Sequence, residues 1–212
     1  ATARTYMVSA ANPLAVEAGR RVLQDGGSAV DAAIAVQLVL NLVEPQSSGI
    51  GGGAFLLHWD AAAQKLITYD GREIAPAAAR PDRFLRDGRP IAFDSAVHSG
   101  LSIGVPGLVR LLEAAHQRHG KLPWSRLFEP AIALAENGFP VSPRLNLLLT
   151  WMGADNFDPA ARRLFFNEHG IARPVGSNLK NPAFAKTLRR IAEAGSEAFY
   201  TGPIADAIVA AT

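Results

Sequence analysis

The feature that most restricts how this chain can fold is an apolar stretch near its N-terminus. From Ser28 to about Val43 the residues are apolar on nearly every side of a helix, and only Asp31, Gln37 and Asn41 interrupt the run. A helix that is apolar all round is buried on most sides, often against a sheet. The stretch is shorter than the ~20 apolar residues that a membrane span needs. It therefore predicts a buried helix in a globular fold and no membrane span.

The composition also indicates a globular chain. The sequence has 212 residues, of which 49% are hydrophobic and 19% are charged, which is enough for a real core and argues against disorder. The formal net charge is only +2 and the basic residues are scattered, so nucleic acid is not an expected partner. The absence of cysteine excludes disulfides, thiolate catalysis and Cys-rich zinc sites within this chain.

Helix and strand signals occur together, which predicts a mixed α/β fold. A strand is predicted at Tyr6–Ser9, and a helix from Pro13 that Gly26-Gly27 ends. Ser28 and Asp31 have the spacing of a capping box for the apolar helix. A hairpin is predicted from strands 54–59 and 65–69. Further helices are predicted from 105 to a stop at 120, over 122–137 with a bend or break near 130, over 143–152, 159–166 and 182–194, and from 203 onward.

The C-terminal end indicates a longer polypeptide. The helix that opens at Pro203 is amphipathic, and the sequence stops at Thr212 without a cap or stop signal. We therefore expect the natural chain to continue beyond Thr212.

A glycine-rich loop covers Ser47–Gly53. Loops of this composition can bind phosphate through backbone N–H groups, but nucleotide loops follow a strand and open a helix. This loop follows a predicted helix and precedes a predicted strand, and no Gly-Lys-Ser/Thr follows it. The order favours a tight turn or a close backbone approach over nucleotide binding.

Arg72 is the candidate binding residue. It stands at the end of a predicted strand, beside Gly71, where its planar guanidinium could enter a cleft and bind a carboxylate in bidentate fashion. The alternative is a surface ion pair with Asp70 or Glu73, and spacing alone favours that alternative.

No catalytic residue and no metal site are predicted within this chain. His116 and His119 are three residues apart on a predicted helix, but no carboxylate partner is evident nearby, so exposed helix histidines are the favoured interpretation. No Gly-x-Ser-x-Gly motif and no nucleophile–base pair can be recognised.

Six segments, taken in order, resemble the γ-glutamyltranspeptidase family. Three have a clear pattern: "GGNAVDAA", with Ser28 where asparagine is usual, "PxxSGxGGG" and "xREMAP". The matching segments are Asp25–Ala35, Glu44–Phe55, Asp70–Pro76, Gly104–Gly107, Pro130–Val141 and Phe199–Gly202. The resemblance is to the N-terminal part of the large subunit, so residues 1–212 are expected to form one incomplete domain. The rest of the large subunit and the small subunit would lie outside this chain.

The resemblance implies an N-terminal nucleophile hydrolase fold, an αββα sandwich that the partner small subunit completes. In that family a proenzyme cleaves itself, and the new N-terminal threonine of the small subunit is the nucleophile, with its own α-amine as the base. Nothing in these residues resembles that threonine-bearing segment. The resemblance therefore places the catalytic residue on the partner small subunit, which comes from the same precursor.

By the same resemblance, Arg72 matches the arginine that binds the α-carboxylate of the donor, and Glu73 matches its acidic neighbour. The implied reaction transfers the γ-glutamyl group of glutathione or a related amide to water or an amino acid, with no metal or organic cofactor, in a periplasmic or secreted protein. Two alternatives stay open: a glutaryl or cephalosporin acylase of the same family, and a non-catalytic scaffold relative.

Overall fold

The computed structural model describes residues 2–212, and in this range it has ten α-helices, three 3-10 helices and three two-stranded antiparallel sheets. The helices are α1 (Pro13–Gln24), α2 (Ala29–Val43), α3 (Phe93–Val97), α4 (Leu108–His119), α5 (Glu129–Asn137), α6 (Pro143–Met152), α7 (Pro159–Phe165), α8 (Pro182–Ala194), α9 (Glu197–Tyr200) and α10 (Gly202–Ala211). The strands are β1 (Ala54–Asp60), β2 (Lys65–Gly71), β3 (Leu85–Arg86), β4 (Arg89–Pro90), β5 (Phe139–Pro140) and β6 (Asn178–Leu179). The 3-10 helices are Gly100–Ser102, Trp124–Phe128 and Ala154–Asn156.

The chain divides into two compact units. The first unit comprises Ala1–Gly49 and Ala115–Ala194, and the second comprises Ile50–Ala114 and Gly195–Thr212. Each unit is therefore built from segments that are far apart in the sequence.

The core of the first unit is helical. Helix α2 packs against α1 and α5, and α5 packs against α8. As its composition predicts, α2 is buried on most sides, and Ile34, Leu38 and Val39 are among its fully buried side chains. Of the helices described, none has the length and hydropathy required to cross a membrane.

Asp31 connects the start of α2 to a second segment of the first unit. The predicted capping box is confirmed: the Ser28 hydroxyl accepts a hydrogen bond from the Asp31 N–H, and the Asp31 carboxylate accepts one from the Ser28 N–H. The same Oδ2 atom also accepts hydrogen bonds from the N–H groups of Lys121 at 2.8 Å and Leu122 at 3.1 Å. One fully buried carboxylate thus caps a helix and fixes the chain 90 residues later.

The main feature of the second unit is the hairpin of β1 and β2, which confirms the predicted pair of strands. The strands pair in antiparallel register from Ala54 opposite Gly71 to Asp60 opposite Lys65. Side chains alternate between faces along a strand, and one face of β1 carries three exposed apolar side chains. These are Phe55, Leu57 and Trp59.

One prediction about the backbone is wrong. Residues 6–9 do not form a strand, because a strand needs a neighbour for its ladder hydrogen bonds and no described strand lies beside this segment. The break predicted near residue 130 is confirmed: a 3-10 helix ends at Phe128 and α5 begins at Glu129. Pro130 lies in the first turn of α5, where its missing N–H is tolerated, whereas inside a continuous helix its ring would clash with the carbonyl of Arg126.

Candidate functional site

Glycine-rich segments from distant parts of the second unit meet beside Arg72. Strand β2 ends at Gly71, so Arg72 is the first residue after the hairpin. The carbonyl of Gly52, from the loop before β1, accepts hydrogen bonds from the N–H groups of Gly107 at 3.2 Å and Leu108 at 3.1 Å. The start of α4 is therefore held against the loop that leads into the hairpin.

Only glycine fits where these backbones cross. A Cβ added at Gly107 would lie 2.2 Å from the carbonyl oxygen of Gly71, and a Cβ at Gly53 would lie 2.6 Å from the same oxygen. Both distances are far inside van der Waals contact, and the obstructing atom belongs to the backbone. The predicted close backbone approach of the glycine-rich loop is confirmed, and it occurs one residue away from Arg72.

The segment after Arg72 is fixed by a short antiparallel bridge. Ile74 and Val105 exchange two backbone hydrogen bonds, of 3.3 Å and 2.8 Å. A Cβ at Gly104 would lie 2.9 Å from the Cβ of Glu73, so the two chain segments are in close contact here as well. Arg72 and Glu73 are consequently held between the end of β2 and this bridge.

The Arg72 side chain is exposed and paired with its neighbour. Its side chain is 71% exposed, and its Nε atom lies 3.3 Å from Oε2 of Glu73. Its backbone N–H donates a hydrogen bond to Oδ1 of Asp70 at 2.9 Å. The pairing with Glu73 is the one that the surface interpretation expected, and the exposure also leaves the guanidinium accessible to an anionic ligand.

A cleft of about 300 Å³ adjoins Arg72 within the second unit. Aliphatic and aromatic side chains form most of its wall, while Arg72, Arg110 and Asp70 supply its charged groups. The lining residues are Tyr69, Asp70, Gly71, Arg72, Ile74, Val105, Pro106, Gly107, Arg110, Leu111, Ala114 and Tyr200.

Arg110 and Tyr200 are two lining residues that sequence reasoning did not identify. The guanidinium of Arg110 donates a hydrogen bond to Glu197 at 2.8 Å and lies 5.0 Å from the centre of the Tyr200 ring. The hydrogen bond to Glu197 raises the pKa of Arg110 above its ordinary value. Burial raises the pKa of the Tyr200 phenol. The signal that could have identified Tyr200 is its place in the last family-like segment, Phe199–Gly202.

The prediction that the helix histidines are exposed is wrong for His116. Its Nε2 atom lies 2.8 Å from the carbonyl oxygen of Leu122 and 3.7 Å from Oδ1 of Asp31, and its side chain is largely buried. Within residues 2–212, no three histidine or carboxylate side chains are grouped closely enough to hold a metal ion.

Comparison with known proteins decides the family. A family model described as gamma-glutamyltranspeptidase matches residues 15–212. The chain belongs to the γ-glutamyltranspeptidase family. The resemblance stated from the sequence is confirmed.

Several known proteins align with nearly the whole chain. The glutathione hydrolase proenzyme of Bacillus subtilis (strain 168) is 40% identical over 200 residues, which are 94% of this chain and 34% of that protein. The crystal structure of Helicobacter pylori γ-glutamyltranspeptidase superimposes with a TM-score of 0.92 at 32% identity, over 98% of this chain and 60% of that one. A cephalosporin acylase from Bacillus halodurans superimposes with a TM-score of 0.75 at 31% identity, over 99% of this chain and 41% of that one.

These matches confirm the predicted fold class: a mixed helix and strand fold of the N-terminal nucleophile hydrolase type. The chain spans about one third of the length of the curated relatives that it matches, such as the 34% of the Bacillus subtilis protein.

Proposed function

We propose that this chain is part of an enzyme that transfers the γ-glutamyl group of glutathione or a related amide to water or an amino acid. In this proposal the chain is the N-terminal part of a large subunit, and Arg72 and Glu73 bind the donor. The observation that carries the proposal is the placement of Arg72, exposed at a cleft and held by three glycine-dependent backbone contacts, in a chain of this family.

The chemistry of the donor fits an arginine at this position. A γ-glutamyl amide carries an α-carboxylate at the end away from the scissile bond, and a planar guanidinium can bind it through two parallel hydrogen bonds. Glu73 contacts Nε of Arg72, which restricts rotation of the guanidinium. A guanidinium held in this way loses less conformational freedom when it binds the carboxylate.

Anchoring the α-carboxylate determines where the γ-carbonyl lies. The N-terminal threonine of a small subunit, from the same precursor, attacks that carbonyl through its hydroxyl while its α-amine accepts the proton. The amide C–N bond of the donor then breaks, the threonine α-ammonium returns the proton to the departing nitrogen, and an acyl-threonine forms. Water or the amino group of an acceptor then attacks the acyl-threonine and releases the product. In this scheme the chain described here contributes position and charge, and the partner contributes the nucleophile and the oxyanion donors.

The names of the relatives support the part of the proposal that concerns processing of a precursor. The Bacillus subtilis relative is a proenzyme, and so is the human relative, glutathione hydrolase 5 proenzyme, which is 36% identical over 204 residues. We extend this to a precursor that is processed into two subunits and acts in the periplasm or outside the cell.

The test is substitution of Arg72 in the full-length, processed protein. Arg72→Ala is expected to raise the KM for a γ-glutamyl anilide by about 10- to 100-fold or to abolish turnover, because a charge-assisted hydrogen-bond pair is lost. Arg72→Lys should recover little, since lysine cannot present two parallel donors. Arg80→Ala is the matched control, because Arg80 is also an exposed arginine of the second unit paired with a nearby carboxylate, Asp82. Near-normal kinetics in Arg72→Ala would contradict the assignment.

A second candidate function, supported by the similarity to the cephalosporin acylase, is cleavage of glutaryl amides. A glutaryl group keeps the carboxylate that Arg72 would bind but lacks the α-amine. Comparing kcat/KM on a γ-glutamyl anilide and on the matching glutaryl anilide separates the two functions. A higher value for the glutaryl compound would replace the transferase proposal.

The third possibility, a non-catalytic relative, is tested by intact mass and N-terminal sequencing of the purified protein. The proposal requires a second polypeptide that begins with threonine. A single unprocessed chain with no activity on either anilide would support the scaffold interpretation.

A further inference from the structure

The hydroxyl of Tyr200 connects two backbone atoms of residues that line the Arg72 cleft. It donates a hydrogen bond to the carbonyl oxygen of Pro106 at 2.9 Å and accepts one from the backbone N–H of Arg110 at 3.2 Å. These atoms lie at the start of α4, where backbone N–H groups have no partner within the helix. The phenol therefore holds the turn that leads into α4 in a defined position.

That turn is in contact with the segment that carries Arg72. Val105, next to Pro106, forms the backbone bridge to Ile74. Gly107, on the other side of Pro106, lies against the carbonyl of Gly71, where no Cβ would fit. Val105 thus contacts Ile74, two residues after Arg72. Gly107 contacts Gly71, the residue before Arg72. A displacement of Pro106 would be passed to Arg72 from both directions.

Tyr200 is itself held in place by charged groups. Arg110 lies over its ring and donates a hydrogen bond to Glu197, one turn before Tyr200. Glu113, one turn after Arg110, accepts hydrogen bonds from the backbone N–H and the hydroxyl of the fully buried Ser196. The short helix α9 is consequently held against α4 by several contacts.

Arg110 itself is poorly suited to bind an anionic ligand. Glu197 lies 2.8 Å and Glu113 3.7 Å from its guanidinium, so two carboxylates already surround a single positive charge. Its contacts are those of a group that holds α4 and α9 together.

We infer that Tyr200 is a positioning residue for Arg72: its hydroxyl holds the Gly104–Gly107 turn against the Arg72 segment and so sets the guanidinium for donor binding. The inference rests on the proposed function, because it requires Arg72 to bind the donor carboxylate. Tyr200 needs no contact with the donor for this role.

The experiment uses Tyr200→Phe in the full-length, processed protein, with a γ-glutamyl anilide as donor. The substitution keeps the ring over which Arg110 lies and removes only the hydroxyl. The KM for the donor is expected to rise about 3- to 10-fold, while kcat changes less than about twofold, since the two hydrogen bonds of the hydroxyl are lost and the reacting groups are untouched. Tyr6→Phe, the same change in the first unit, is the control and should leave KM unchanged.

A double-mutant cycle with Arg72→Lys separates positioning from general loosening. If Tyr200 acts through Arg72, adding Tyr200→Phe to Arg72→Lys should raise KM by less than about twofold further. Full additivity, an unchanged KM in Tyr200→Phe, or a fall in kcat alone would overturn the inference.

The result also distinguishes the inference from the proposed function. If Arg72→Ala has normal kinetics, the proposed function fails. If Arg72→Ala raises KM and Tyr200→Phe does not, only the positioning role fails. Equal unfolding midpoints of wild type and Tyr200→Phe would show that a changed KM does not come from lost stability.

Discussion

The two units of the chain differ in how completely they bury their apolar side chains. In the first unit, α2 is enclosed by neighbouring helices, and Leu38 is only 1% exposed. In the second unit, the β1–β2 hairpin leaves Leu57 68% exposed, with Phe55 and Trp59 on the same face. The second unit also carries the Arg72 cleft. Within residues 2–212, the first unit thus has an enclosed helical core, whereas the second carries the candidate binding residues beside an apolar face that this chain leaves uncovered.

The largest expected consequence concerns the 212-residue chain produced alone. A two-stranded hairpin is marginally stable in water, so this chain should not melt as one cooperative unit. In hydrogen exchange, the backbone amides of β1 and β2 should exchange faster than those of α2. A single cooperative calorimetric transition, with similar protection in α2 and β1, would contradict the contrast between the units.

The next effect compares one leucine from each unit. Leu38→Ala should lower the opening free energy of the α2 amides by about 2–5 kcal/mol, because it removes buried side-chain atoms and leaves a cavity. Leu57→Ala should change the same quantity by less than about 0.5 kcal/mol, because its side chain is exposed and lies outside the first unit. Hydrogen exchange on both variants measures the two values, and equal losses would show that the units are not energetically distinct.

A smaller effect is expected from a pair of aspartates. Asp31→Ala leaves the backbone N–H groups of Ser28, Lys121 and Leu122 without their acceptor, and should lower the opening free energy of α2 by about 1–3 kcal/mol. Asp70→Ala removes an exposed acceptor for one N–H group, that of Arg72, and should leave the α2 amides unaffected. A neutral Asp31→Ala variant would remove the proposed link between the start of α2 and residues 121–122.

The smallest effect is an acid dependence in α1. Hydrogen bonds from Arg20 and Arg21 lower the pKa of Glu17 from 4.5 to about 2. Since the pKa is lower in the folded chain, the pair stabilises α1 above about pH 4.5, and this contribution is lost as the pH falls through about 2. Glu17→Gln should flatten the pH dependence of α1 stability in this window, whereas Glu168→Gln, which removes an exposed carboxylate elsewhere in the first unit, should not. A carboxyl titration of Glu17 with a midpoint near 4.5 would show that the arginines do not hold it.

Local patterns predicted the regular elements well, because those elements are specified by residues close together in the sequence. The Ser28–Asp31 cap, the proline at the start of α1 and the Gly26-Gly27 stop all depend on neighbours within one helical turn. The strand predicted at residues 6–9 was wrong because a strand depends on a partner segment, which a local pattern does not reveal.

The candidate site was predictable only in part, for a related reason. Arg72 and Glu73 could be named because they match one short family motif, and their binding role stays a prediction. Tyr200 could not be placed beside the cleft, since its hydroxyl meets Pro106 across 94 residues. No periodicity or spacing rule connects positions that far apart. The hydrogen bond between Arg110 and Glu197 could not be predicted either, because the two residues are 87 positions apart in the sequence.

The backbone crossings at Gly53, Gly71 and Gly107 limit how the cleft beside Arg72 can be redesigned. Saturation libraries at these three positions should return glycine almost alone, since any larger residue would push the chain apart beside the guanidinium. Substitutions are better placed at Ile74 and Val105, whose backbones are hydrogen-bonded to each other but whose side chains are exposed. Positions that require glycine and positions that can accept other side chains thus lie next to each other in the segments that flank Arg72.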